Sequence, residues 1–126
     1  MITPKEIQDA ARKGFIEQFK QKPEMLDKSL TEFTKTEMDC LLLGICKEFM
    51  WIKGQFRLDK NSDEAFTYVK KVLKDFIHNR ENLTWLKIRQ WDIELVDEFV
   101  YVVCINYDYM YSKLALEETL QDRIPF

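Results

Sequence analysis

Three cysteines (Cys40, Cys46 and Cys104) and a single histidine (His78) are the side chains of this 126-residue chain best suited to bind a metal or attack an electrophile. Their spacing supports neither role. Cys40 and Cys46 are six residues apart, a rotation of about 240° on an α-helix, whereas zinc sites place their cysteines about two to four residues apart in a loop. His78 has no second histidine and no cysteine within a helical turn. A nucleophilic thiol needs an exposed, electropositive niche beside a base, and these thiols lie in apolar runs. An odd number of cysteines among apolar neighbours reads as buried free thiols in a reducing compartment rather than as a disulfide framework.

The carboxylates point no further towards catalysis. On an extended strand Asp92 and Glu94 share a face, and Asp97-Glu98 marks a reversal. A general acid needs a pKa raised by burial or by a close like charge, and nothing in the sequence sequesters these groups. Gly14, Gly44 and Gly54 are isolated from one another, so no glycine-rich loop cradles a phosphate. The expectation is a protein that is not an enzyme, with no metal, no cofactor and no catalytic residue.

Two surfaces remain. Lys70, Lys71, Lys74, Lys87 and Arg89 form the densest basic cluster, an alternative nucleic-acid interface. They are interleaved with Asp63, Asp75 and Glu81, and the chain carries a net charge of −3, whereas phosphate-gripping domains are strongly basic. The second surface is aromatic. Trp85, Trp91, Phe99, Tyr101, Tyr107, Tyr109 and Tyr111 fall within 27 residues, and residues 91–126 hold eight acidic residues against two basic ones, Lys113 and Arg123. Tyr and Trp bury much area while keeping a polar tip, which suits interfaces. The leading expectation is a protein–protein interaction or regulatory module. In it Trp85, Trp91, Tyr101, Tyr107, Tyr109 and Tyr111 meet another protein or a second copy of the chain. On that reading Tyr107→Ala or Trp91→Ala removes partner binding without unfolding. A further alternative is a small-molecule or catalytic pocket lined by His78, Tyr101 or Glu94.

The elements that must position these residues follow from periodicity. Thr3, Pro4 and Glu6 open a helix whose stripe is Ile7, Ala11, Phe15 and Phe19, and Pro23 ends it, giving about 4–21. Glu24 to Phe33 reads as a short helix or a pinned loop. Thr34 and Glu37 form a second capping box before a broadly apolar, central helix that stops at Gly54. Ser62 caps a third helix, with Phe66, Val69, Leu73, Phe76 and Ile77 inward and an end at His78-Asn79.

Beyond Leu83 the period changes to two. Trp91, Ile93 and Leu95 alternate with acids, and Tyr101, Val103, Ile105, Tyr107 and Tyr109 alternate along a Val- and Tyr-rich run. Helical steps through Ile93, Val96, Val100, Val103, Tyr107, Met110 and Leu114 also exist. Against them, polar residues surround the helical circumference, and one helix there would be awkwardly long for the domain. The expected fold is therefore α+β: three or four amphipathic helices, an antiparallel hairpin at about 84–109, and a short helix from Ser112. Phe56-Arg57-Leu58 is a possible third strand. The alternative is an all-α helical bundle.

The whole chain reads as a single globular domain, residues 1–126. Its longest apolar run, Phe99 to Ile105, has seven residues, far short of the twenty or so a membrane span needs. No cationic start precedes an apolar run, so the expected location is cytoplasmic.

Overall fold

Each helix of this protein begins where a capping side chain stands. The computed structural model describes residues 2–54 and 58–123, with side chains as far as Leu120. Helix α1 (Pro4–Gln21) starts as Glu6 donates its backbone N–H to Thr3 Oγ1 at 3.2 Å, with Pro4 in the first turn. Helix α2 (Lys35–Ile52) opens on a reciprocal box. Glu37 donates its backbone N–H to Thr34 Oγ1 at 3.1 Å, and Thr34 N–H returns one to Glu37 Oε1 at 2.9 Å. Gly54, with φ at 69°, takes the left-handed conformation just after the helix, which a residue with a Cβ resists. Helix α3 (Lys60–His78) is capped by Asp59, not by Ser62 as expected. Ser62 stands three residues on and closes the box: its hydroxyl accepts from Asp59 N–H at 2.7 Å, while Asp59 Oδ1 accepts from Ser62 N–H at 2.9 Å.

The α+β expectation fails beyond Leu83. Helix α4 (Ile93–Arg123) replaces both the hairpin and the separate closing helix, and no strand occurs among the described residues. Its 31 residues extend about 46 Å at the rise of an α-helix. Asp92 starts it, accepting Leu95 N–H on Oδ1 at 2.8 Å, so the alternation of acids there is a cap and a first helical turn. Leu95, Val96, Phe99, Val100, Val103, Cys104 and Tyr107 are buried at three- and four-residue steps. A strand would put Tyr101, Val103, Ile105, Tyr107 and Tyr109 on one face. Here Val103 and Tyr107 are inside and the other three outside.

Three of the polar residues that argue against a helix, Asp97, Glu98 and Asp108, find partners on neighbouring elements. Arg12 donates Nε and Nη2 to the two carboxylate oxygens of Asp97 at 2.9 and 2.8 Å. Arg80 pairs with Glu98, and Lys53 Nζ donates to Asp108 Oδ1 at 3.1 Å. Asp97 and Glu98 lie within α4, in its second turn, so no reversal occurs there. Of the possible third strand, Phe56 and Arg57 lie outside the described residues, and Leu58 is exposed and irregular.

The helices alternate in direction. Phe15 of α1 meets Phe99 of α4 while Lys53 at the end of α2 meets Asp108, and Asp59 and Arg80 flanking α3 meet Tyr111 and Glu98. One buried apolar cluster draws on all four helices. Helices α1 and α2 cross at a glycine pair: a Cβ on Gly14 would lie 2.3 Å from Gly44 O, whereas one on Gly44 would meet only the flexible end of Gln18. Gly14→Ala is therefore expected to destabilise by roughly 2 kcal/mol, because backbone cannot yield as a side chain can. Gly44→Ala is expected to be neutral or slightly stabilising, since alanine favours helix over glycine by about 1 kcal/mol. Urea denaturation of both variants checks this; a Gly14→Ala variant as stable as the parent would mean the helices are not in such close contact at Gly14.

The stretch after α1 holds two short 3₁₀ turns, Pro23–Asp27 and Leu30–Glu32, and two more follow α3, Glu81–Thr84 and Ile88–Gln90. These connections join at one end of the bundle. Ile88 N–H donates to Lys28 O at 3.0 Å, Thr31 Oγ1 to Thr84 O at 2.8 Å, and Arg89 Nε to Asp27 Oδ1 at 3.0 Å. Met25, Leu30, Leu83 and Ile88 are buried beneath them.

Candidate interaction surface

The helical phase of α4 divides the aromatic residues into two groups. Trp91, half-buried just before the helix, stacks on Phe15 with centroids 5.8 Å apart and meets Phe99 edge-on at 5.5 Å. Tyr107 is 2% exposed, 5.0 Å from Phe66 and stacked on Tyr111 at 5.8 Å. Its hydroxyl is pushed well above the usual tyrosine range by burial. Half-buried Tyr111 donates its hydroxyl to Asp59 Oδ2 at 3.1 Å, tying the start of α3 to α4. Trp91 and Tyr107 are thus structural, and neither is a clean probe of partner binding.

Trp85, Tyr101 and Tyr109 face out, at 62%, 56% and 56% exposure. They do not form one patch. Trp85 lies in the joined connections at one end of the bundle, while Tyr101 and Tyr109 are two helical turns apart on the outer face of α4. Ile105 stands between them, completing an exposed row at four-residue steps, and Leu116 and Leu120 carry apolar side chains further along the helix. Alternation hid Ile105 as a strand-face residue; its spacing from Tyr101 and Tyr109 was the available signal.

Beside this row, α1 and α4 enclose a groove of about 310 Å³ lined by Pro4, Ile7, Gln8, Phe49, Tyr101 and Ile105. The Arg12–Asp97 and Lys53–Asp108 pairs flank it, and Gln8 Nε2 donates to Asp97 O at 3.3 Å. The Arg12 guanidinium holds the Asp97 carboxyl below its ordinary range. Polar groups therefore define the ends of a mostly apolar slot.

A second depression separates α2 from α3. It has two compartments, about 360 and 210 Å³, that share Asp39 and Lys70. Lys70 Nζ reaches across to within 2.7 Å of Asp39 Oδ1. Of the other basic candidates, Arg89 is paired with Asp27, while Lys71, Lys74 and Lys87 are exposed. Lys70 and Lys74 line the smaller compartment together with Lys35. Lys87 and Arg89 sit in the connection after α3 instead.

The thiols are only partly as expected. Cys46 and Cys104 are buried, and burial pushes both well above the usual thiol range, but Cys40 is exposed on α2. All three are free. His78 and Glu94 are exposed, and Glu94 lines a shallow polar depression near Arg80 that is separate from the groove at Tyr101. The three residues do not share a pocket. Among the described residues no group of three or more His, Cys, Asp and Glu could hold a metal ion, and no helix is long and apolar enough to cross a membrane. No protein family, curated protein or solved structure matches this chain.

Proposed function

We propose that this chain is a non-enzymatic interaction module that works by protein–protein contact, with a second copy of itself as partner. The observation that carries the reading is the exposed apolar row Tyr101, Ile105 and Tyr109 on α4, alongside the groove shared with α1. Such a row is the form in which one helix lies against another, with aromatic anchors and a polar rim. A cytoplasmic setting goes with it, because free thiols with one exposed at Cys40 persist where the compartment is reducing.

Sedimentation velocity over a concentration series tests the proposal. The full chain is expected to associate reversibly. Tyr101→Glu combined with Ile105→Glu is expected to weaken association at least about tenfold, or about 1.4 kcal/mol, while helicity and melting temperature stay unchanged. A strict monomer at every concentration would overturn the reading. Association indifferent to the double variant would remove this face of α4 from it.

A further inference from the structure

We infer that the C-terminal turns of α4 from one copy occupy the cleft between α2 and α3 of another, an inference that rests on the self-association proposed above. The cleft has an apolar floor that includes Met38, Leu42, Phe66, Leu73 and Ile77; Asp63 lines its wider end, and at its narrower end Lys35 and Lys74 form a basic rim beside the Lys70–Asp39 pair. Along α3 it runs from Asp63 to Ile77, about 21 Å at the helical rise.

The complementary piece is on the same chain. α3 is tied to α4 at Tyr111 through Asp59, and α4 continues to Arg123, about 18 Å further. In this extension Leu116 and Leu120 are 60% and 48% exposed, and Glu117 and Glu118 are exposed beside them. Residues 112–123 hold three acidic residues, Glu117, Glu118 and Asp122, between two basic ones, Lys113 and Arg123. The Glu117–Glu118 pair beside Leu116 and Leu120 matches, in charge and hydrophobic pattern, the Lys35 and Lys74 end of an apolar cleft of similar length. The extension cannot fill the cleft of its own molecule, because it is the unbroken continuation of a helix already packed against α3. A second copy supplies it.

Charge reversal tests this with residues that bear no core contacts. Glu117→Lys with Glu118→Lys, and separately Lys35→Glu with Lys74→Glu, are each expected to weaken self-association about tenfold or more in sedimentation velocity, with circular dichroism unchanged. Mixing the two variants, or combining all four changes in one chain, is expected to recover association, since the reversed extension then meets a reversed rim. Failure of both the mixture and the combined chain to recover would overturn the inference. So would association that neither pair alters; if Tyr101→Glu with Ile105→Glu still abolished it, the interaction reading would stand and this occupant of the cleft would fall. A full chain that stays monomeric overturns both.

Discussion

Tyr107→Ala is expected to lower stability by roughly 3–5 kcal/mol, whereas Tyr109→Ala, two residues along, is expected to change it by less than about 1 kcal/mol. The Tyr107 ring fills space between α3 and α4, touching Phe66 and Tyr111, and its removal leaves a cavity that a helix–helix seam cannot close. Tyr109 lies outside and keeps one aromatic neighbour, Tyr68, at 6.0 Å. Urea denaturation of the two variants measures the contrast. It also separates the two architectures, because an extended strand places both rings on one face and would make their losses similar. Equal effects would overturn the helical assignment of α4.

Glu37→Gln is the second large effect, at roughly 2–3 kcal/mol destabilising at neutral pH. Glu37 is buried at the start of α2, where its carboxylate accepts from Thr34 N–H at 2.9 Å, from Lys28 Nζ at 2.9 and 3.2 Å and from Lys22 Nζ at 3.1 Å. The Thr34 amide and then the two ammonium groups hold its pKa at about 2, against burial acting in the other direction, from an ordinary value of 4.5. A displacement of that size corresponds to roughly 3 kcal/mol, moderated here by the partial exposure of both lysines. A depressed carboxyl contributes fully above its unfolded pKa and loses that contribution as the pH falls through the folded one. The contribution from Glu37 is therefore complete above about pH 4.5 and gone near pH 2. The glutamine variant should melt lower at neutral pH and converge on the parent protein in acid. A constant gap across that window would show that the carboxylate charge is not the source.

Much of the first three helices was legible because their signals are local. Thr3-Pro4 and Pro23 bound α1, the Thr34–Glu37 box opens α2, and Gly54 ends it, all within a few residues of the features they control. α4 was not legible for a physical reason. Its Val, Ile and Tyr content favours a pleated surface, and its polar residues are spread around the helical circumference. The residues that answer the acids among them are remote: Arg12 is 85 positions from Asp97, and Lys53 is 55 from Asp108. Tertiary pairing outweighs local preference, and the helical steps through Val96, Val100, Val103 and Tyr107 are the true inward face. The candidate surface inherited the error. Density alone groups six aromatics, and only the phase of a helix shows that Tyr101 and Tyr109 face outward while Trp91 and Tyr107 face inward.

The joined connections after α1 and α3 make α2 and α3 the two sides of a frame closed at both ends. Backbone and side-chain bonds between residues 27–31 and 84–89 fasten one end, and the chain between Ile52 and Lys60 joins the helices at the other. The gap within the frame measures about 210 Å³ near the fastened connections and about 360 Å³ further out, and the Lys70–Asp39 bridge crosses it. A guest therefore enters sideways, across that bridge, and not through either end.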